Sequence, residues 1–161
     1  MNNIVKKNMW FWLISISNLL LDQLSKYWIT KSFAQIGDTI PLLPKIFHFT
    51  YVVNTGTAFS FFEGGVVWLR WISLGVSIGL IGLFILGERM EIFEQLGYGF
   101  ILAGALGNGI DRFFFGYVVD FLDFRLINFP IFNLADISIN FGIILLFSAN
   151  IFPKSSNDLY H

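Results

Sequence analysis

Four stretches of the chain are apolar over a length that can cross a lipid bilayer. A transmembrane helix needs about 20 mostly apolar residues to span roughly 30 Å of hydrocarbon. The four stretches cover residues 8–28, 66–87, 96–115 and 136–152. The pattern therefore predicts an all-α membrane protein with four transmembrane helices.

The connection between the first two stretches has a different pattern. It contains FHFTYVVNTGTAFSFF, which is rich in the aromatic and β-branched residues typical of strands. Gly37, Pro41 and Pro44 are expected to mark turns within this connection. We therefore expect a small extramembrane β-rich segment between helices 1 and 2, lying at the membrane surface. The connection at residues 116–135 is expected to be a loop.

Four spans place both ends of the chain on one side of the membrane and the two long connections on the other. We expect the functional site on the side of the long connections. The flanking positive charges do not favour a cytoplasmic N-terminus. Four lie on the terminal side and six on the opposite side, namely Lys6, Lys7, Arg89 and Lys154 against Lys26, Lys31, Lys45, Arg70, Arg112 and Arg125. No small-x-small cleavage site follows Leu21, so the first stretch is interpreted as a retained span within one domain, residues 1–161.

The composition excludes several kinds of function. Hydrophobic residues make up 55% of the 161 residues and charged residues 13%, against roughly 25% charged in an ordinary soluble domain. A net charge of -1 does not suit a nucleic-acid binder, and membrane lipids are the expected partner instead. The chain has no Cys and only two His, His48 and His161, so we expect no metal and no cofactor. The chemistry must depend on carboxylates.

Ionisable side chains inside apolar sequence are costly in a membrane and often mark functional sites. Asp22 and Lys26 are four residues apart in DQLSK, so they share a helix face and can pair. The pair can anchor the end of the first span or support a site. Asn108, Asp111 and Arg112 are spaced by three and four residues, which predicts that Asn108 contacts both later residues. This polar network can tie helices together or belong to a site.

Two further carboxylates are expected at one membrane surface. Asp120 follows the third span and Asp136 begins the fourth, where Asn133 can cap the helix N-terminus. Taken singly, Asp120 can be an interfacial loop carboxylate and Asp136 part of a helix cap. Two carboxylates that share a dry site cannot both ionise cheaply, so one keeps its proton while the other acts as a base. Amide hydrolysis by such a pair is the chemistry that fits this composition best.

The extended segment carries two more polar side chains of interest. The amide of Asn54 can bind either a turn or the backbone of a substrate. His48 is expected to be an interfacial side chain rather than a catalyst. Neither residue defines a site without the carboxylates.

The motifs DQLSK, VVNTGTAFS, GNGIDR followed by VVDF, and FNLAD occur in this order among the four apolar spans. Over nearly the whole chain this arrangement resembles the bacterial lipoprotein signal peptidases (signal peptidase II). The resemblance implies an aspartic endopeptidase that removes the signal peptide from diacylglyceryl-modified prolipoproteins, cutting before the lipidated Cys. It also implies a bacterial inner-membrane protein with cytoplasmic termini, a site at the outer face, and sensitivity to globomycin-type inhibitors.

The resemblance also implies roles for particular residues. Asp120 and Asp136 would be the catalytic pair. The supporting or substrate-binding residues would be Asn54, Asn108, Arg112 and Asn133, with Asp111 and Asp22 holding the helices and the site in place. Two positions depart from the family pattern, since Thr57 stands where Ala is expected and Gly109 where a larger apolar residue is usual.

Two other classes of membrane protein can carry such residues. In a proton relay or small transporter, Asp22, Asp111, Asp120 and Asp136 would form a charge path. In a purely structural protein the polar residues would only assemble the helices. A relay needs carboxylates spread through the depth of the membrane, whereas Asp120 and Asp136 are predicted at one interface, which favours the peptidase.

Overall fold

The computed structural model describes residues 7–56, 65–127 and 129–151 of the chain. Its helices are α1 (Met9–Ser32), α2 (Gly65–Leu86), α3 (Ile92–Phe114) and α4 (Leu134–Ile151). Each coincides with one of the predicted apolar stretches, so the four predicted helices are confirmed. α1 extends beyond the predicted end at residue 28 to Ser32. Thr57 and residue 152 lie outside the described residues.

Helix α3 lies at the centre of the bundle and contacts each of the other three helices. Small residues allow this close packing. A Cβ at Gly104 would overlap the carbonyl oxygen of Ala135 in α4, and one at Gly107 would overlap the Asp22 carboxylate of α1. The backbone of α3 therefore approaches α1 and α4 closely enough for short polar side chains from all three helices to meet.

The strands form one three-stranded antiparallel sheet in the order β1-β2-β3. They are β1 (Thr39–Leu43), β2 (Phe47–Asn54) and β3 (Val118–Phe124). The first two lie in the connection where a β-rich segment was predicted. Pro41, which was expected to mark a turn, instead lies in β1 and pairs with His48. The third lies between α3 and α4, where we expected a loop, so that expectation was wrong.

The burial of β3 explains why its pattern was missed. All of its residues from Val118 to Asp123 are buried, so the strand lacks the regular apolar and polar alternation of a strand with one face in solvent. Val119, Phe121 and Leu122 form a cluster with Ile29 and Phe33 near the end of α1. This cluster fixes the sheet to the end of the helix bundle.

A short pairing links β3 to the start of α4. Phe132 forms an isolated antiparallel bridge with Leu122, with its N–H donating to the Leu122 carbonyl at 3.1 Å. Asn133 is the next residue, and α4 begins at Leu134. The bridge therefore brings the beginning of α4 against the strand that carries Asp120.

The length and composition of the described helices support only one of the four predicted membrane spans. Among the described residues, one helical segment, Val67–Leu86, is long and apolar enough to cross a membrane. The apolar part of α4, Leu134–Ser148, is shorter. α1 contains Asp22 and Lys26 within its length, and α3 contains Asp111 and Arg112 in its last turns.

Candidate active site

Asp136 is placed by the cap of helix α4. Its backbone N–H donates to Asn133 Oδ1 at 3.0 Å, and the Asn133 N–H donates back to Asp136 Oδ2 at 3.2 Å. This reciprocal pattern is a capping box, which satisfies two N–H groups that a helix N-terminus leaves unpaired. The predicted capping role of Asn133 is confirmed. Asp136 therefore lies in the first turn of α4, with its side chain fixed against the cap.

Asp120 lies in the middle of β3 and is 2% exposed. Its Oδ2 accepts a hydrogen bond from Asn54 Nδ2 at 2.9 Å, and its Oδ1 accepts one from Asn133 Nδ2 at 2.6 Å. Burial raises the pKa of Asp120 to about 6, and the nearby charge of Asp136 adds to this, although the Asn54 and Asn133 bonds oppose it. The protonated form of Asp120 is therefore favoured well above the usual pH range of an aspartic acid.

Two asparagine side chains connect the carboxylates. Asn133 bonds to both Asp120 and Asp136, through its side chain and its backbone respectively. Asn108 Nδ2 donates to Asp136 Oδ1 at 2.8 Å, and Asn108 Oδ1 accepts from Asn133 Nδ2 at 3.1 Å. The fold thus brings Asp120 and Asp136 into a single hydrogen-bonded network, although 15 residues lie between them in the sequence.

The contacts of Asn108 differ from those that its spacing predicted. Its side chain points to Asp136 and Asn133 rather than to Asp111 and Arg112. Arg112 Nη1 instead donates to the backbone carbonyl of Asn108 at 3.3 Å. Helical spacing brings residues to the same face, but here the start of α4 lies beside that face and supplies the partners for the amide.

Asp111 belongs to a buried ion cluster beneath the site. Its Oδ2 lies 2.8 Å from Lys26 Nζ, and Lys26 Nζ lies 2.8 Å from Asp22 Oδ2. The predicted pairing of Asp22 with Lys26 is therefore confirmed. Asp22 Oδ1 also accepts the N–H of Ala135 at 2.9 Å, which ties α1 to the first turn of α4. Gln23 Nε2 donates to Asp111 Oδ1 at 3.1 Å and was not foreseen as a partner.

Asn54 forms both a turn contact and a contact with the site. Its Oδ1 accepts the backbone N–H of Gly56 at 2.8 Å, while its Nδ2 donates to Asp120. Gly56 has a φ of 85°, a left-handed conformation that glycine adopts without strain. The turn therefore fixes the Asn54 amide with its donor toward Asp120.

A cavity of about 290 Å³ adjoins Asp136. Apolar side chains of α2, including Leu69 and Ile72, form one wall, and Asn108 and Arg112 of α3 line it as well. Asp136 thus borders a mostly apolar space that can hold a substrate. Within the described ranges, no group of three or more His, Cys, Asp or Glu residues is arranged to hold a metal ion.

A second polar cluster lies on the sheet and does not include the candidate site. His48 is 8% exposed and is paired across the strands with Asp123. Burial opposes ionisation of Asp123, but hydrogen bonds from Thr50 at 2.6 Å and Arg125 at 2.7 Å outweigh it, so the pKa of Asp123 is lowered. His48 is therefore a sheet residue outside the Asp120 and Asp136 network.

A family model and individual relatives of known name both match this chain to the same family. A sequence model of the family described as Signal peptidase (SPase) II matches residues 14–152. Lipoprotein signal peptidases of Gloeothece citriformis and Microcystis aeruginosa are 69% and 63% identical to this chain. The alignments cover 95% and 94% of this chain, and 96% and 97% of the two relatives.

The fold is similar to that of two solved structures, each described as a bacterial membrane enzyme and each 34% identical to this chain. The first has a TM-score of 0.79 and covers 92% of this chain and 91% of its own. The second has a TM-score of 0.78 and covers 89% of this chain and 92% of its own. The chain therefore belongs to the signal peptidase II family of lipoprotein signal peptidases.

Proposed function

We propose that this protein is an aspartic endopeptidase that cleaves the signal peptide from diacylglyceryl-modified prolipoproteins, just before the lipidated Cys. Membership of the signal peptidase II family supports the substrate class. The observation that carries the aspartic mechanism is the linkage of Asp120 and Asp136 through Asn133, which contacts both carboxylates. Asp120 and Asp136 are the proposed catalytic residues.

The two carboxylates have different surroundings, which suits them to different roles. Asp120 is buried and its pKa is raised to about 6, so it is the proposed proton donor. Asp136 accepts N–H groups of Asn133 and Asn108 at a helix N-terminus, so it is the proposed base. A peptide bound over the pair would displace water and favour the protonated form of Asp120 further.

The proposed reaction moves one proton through each carboxylate. Asp136 takes a proton from water, and the resulting hydroxide attacks the scissile carbonyl carbon. Asp120 polarises the carbonyl oxygen and then supplies a proton to the leaving amine. When the C–N bond breaks, Asp136 carries the proton that came from water and Asp120 has lost its own. Transfer of one proton from Asp136 to Asp120 then restores the starting state.

The surrounding polar residues hold this arrangement in place. Asn54 and Asn133 donate to Asp120 and orient it between β2 and α4. Arg112 is the cationic residue nearest the pair on α3 and lines the cavity beside Asp136. We propose that these residues, together with Asn108, bind the substrate backbone or support the carboxylates.

We also propose that the protein is a multi-pass protein of the bacterial inner membrane, with cytoplasmic termini and the site at the outer face. Large apolar side chains are exposed along the helices, as expected for surfaces that face lipid. Examples are Leu13 and Leu24 of α1, Trp68 and Ile78 of α2, and Ile144 and Phe147 of α4. A lipid-anchored substrate would then meet the carboxylates at matching depth.

The cavity beside Asp136 is the proposed binding place for the apolar part of the substrate near the scissile bond. Its apolar α2 wall suits the apolar side chains of a signal peptide. Globomycin-type peptide inhibitors are expected to occupy the same space.

A matched set of isosteric variants tests the proposal. Asp120→Asn and Asp136→Asn should each abolish cleavage of a synthetic diacylglyceryl lipopeptide by the purified protein in detergent. Asp123→Asn is the control, because Asp123 lies on the same strand as Asp120 but bonds to Thr50 and Arg125 instead. It should remain active. Full activity of Asp120→Asn would refute the aspartic mechanism.

A further inference from the structure

The side chain of Lys26 ends where the buried ion cluster meets the candidate active site. Besides its contacts with Asp22 and Asp111, its Nζ donates to Asn108 Oδ1 at 3.1 Å. An ammonium group has three N–H donors, and Lys26 Nζ has three oxygen neighbours, namely Asp22 Oδ2, Asp111 Oδ2 and Asn108 Oδ1. The side chain is 5% exposed. Lys26 is therefore held from three sides at a fixed position beside the Asn108 amide.

The position of Lys26 favours one of the two orientations of the Asn108 amide, together with Asn133 and Asp136. Asn108 Oδ1 accepts from Lys26 and from Asn133, which leaves Nδ2 to donate to Asp136 Oδ1 at 2.8 Å. A turn of the amide by 180° would exchange its oxygen and nitrogen. The oxygen would then face the Asp136 carboxylate and the NH₂ group would face the ammonium, so both contacts would become repulsive.

We propose that Lys26 is a positioning residue for the peptidase reaction, which holds the Asn108 amide with its NH₂ group toward Asp136. This inference rests on the proposed function. A hydrogen bond donated to a carboxylate is charge-assisted and stronger than one between neutral groups, so Lys26 acts through Asn108 on the proposed base. Lys26 itself does not contact Asp136 in this arrangement.

Other charged groups also surround Asp136, and the test must keep them constant. They come from every element packed around the site, namely Asp120 on β3, Asp111 and Arg112 on α3, Asp22 on α1 and Arg70 on α2, which donates to the Arg112 carbonyl at 2.6 Å. A comparison of two variants with the same charge separates a positioning effect from a general electrostatic one.

Two variants in an Asp111→Asn background meet this requirement. Lys26→Gln retains an N–H donor for Asn108, whereas Lys26→Met has none. In both, the loss of Lys26 and Asp111 charges leaves the net charge of the cluster unchanged. We expect the acid limb of the profile of kcat/KM against pH to have its midpoint at a higher pH in Lys26→Met than in Lys26→Gln. The expected difference is on the order of 1 pH unit, because that corresponds to the loss of one hydrogen bond.

The outcomes decide between positioning and charge. Coincident acid limbs for Lys26→Gln and Lys26→Met would overturn the positioning role. If either double variant fails to fold, the same comparison is made with Asp22→Asn added, so that no carboxylate of the cluster remains unpaired, and the same two outcomes decide. If the wild-type protein does not cleave the diacylglyceryl lipopeptide at all, the proposed function fails, which is a result distinct from coincident limbs.

Lys31→Gln and Lys31→Met in the same Asp111→Asn background are the matched controls on α1. Lys31 lies in the last turn of the helix, where its Nζ is 5.8 Å from the centre of the Tyr27 ring. The acid limbs of these two variants should coincide. A separation equal to that between Lys26→Met and Lys26→Gln would show that any lysine on α1 has the same effect, and would overturn the specific role of Lys26.

Discussion

The side-chain amide of Asn133 donates to Asp120 Oδ1 at 2.6 Å, so a residue that caps α4 also contacts the middle of β3. Asn133 is fully buried. Its backbone N–H donates in addition to Asp136. One residue thus sets the relative positions of the two carboxylates, because it belongs to the helix cap and to the strand contact simultaneously.

We expect Asn133→Ala to impair both stability and activity. Loss of the cap costs about 1 kcal/mol of the free energy of unfolding. Displacement of the two carboxylates should lower kcat/KM on the order of 100-fold, since small errors of position have large effects on rate. Thermal unfolding and lipopeptide cleavage in the same detergent measure the two effects.

Asn140→Ala is the control for this prediction. Asn140 is an exposed asparagine of the same helix whose side chain donates to the Asp136 backbone carbonyl at 2.9 Å. It should leave kcat/KM within about 3-fold of wild type, because no carboxylate loses a donor. Equal losses of activity in the Asn133 and Asn140 variants would contradict the positioning role of Asn133.

The raised pKa of Asp120 predicts a pH dependence of stability. Folding raises this pKa from 3.8 to about 6, so the contribution is favourable below pH 4 and is lost as the pH rises through 6. Asp120→Asn removes this titration. Relative to wild type, the variant should gain on the order of 3 kcal/mol in free energy of unfolding between about pH 4 and pH 7.

Thermal unfolding of the wild type and of Asp120→Asn across this pH range checks the prediction. The replacement also changes the hydrogen bonds with Asn54 and Asn133, whose effect on the ionisation of Asp120 is already included in its pKa of about 6. The informative quantity is therefore the change in the difference between the two proteins. A difference that stays constant from pH 4 to pH 7 would show that Asp120 titrates normally.

Close contact between α3 and α4 predicts that Gly104 cannot be enlarged. Gly104→Val would force the added side chain against the Ala135 carbonyl and the Ile139 side chain. We expect a loss of several kcal/mol in stability or failure to fold, as is usual when a tightly packed contact is overfilled. Yield and thermal unfolding in detergent measure the effect.

Gly79→Ala provides the comparison, because nothing lies within 4 Å of a Cβ built at this position of α2. It should be neutral or stabilise the helix by up to about 1 kcal/mol, the usual difference between glycine and alanine in a helix. If Gly104→Val is tolerated as well as Gly79→Ala, the close approach of α3 to α4 is not required.

Several features of the candidate site could be predicted from local sequence. Asp22 and Lys26 pair because a spacing of four brings them to the same face of one helix. Asn133 caps α4 because it precedes the apolar run of the helix and lies three residues before Asp136. In both cases the two partners lie within one helical turn, so the backbone geometry alone brings them together.

Contacts between distant segments were not predictable in this way. β3 was mistaken for a loop because a strand buried on both faces has no regular polar alternation. The Asn108 side chain was assigned to Asp111 and Arg112, but it bonds to Asp136 and Asn133 of another element. The contact between Lys26 and Asn108 joins residues 82 positions apart and has no local signal.

The sequence by itself determined the four helices, the cap of α4, the pairing within α1 and the residue types available for chemistry. Each of these follows from apolar length or from spacing within one helical turn. The tertiary structure decided which polar groups share the buried space. Close packing of α3 against α1 and α4, and of β3 against the start of α4, leaves each buried polar atom few possible partners, and the requirement to satisfy them selects the network around Asp120 and Asp136.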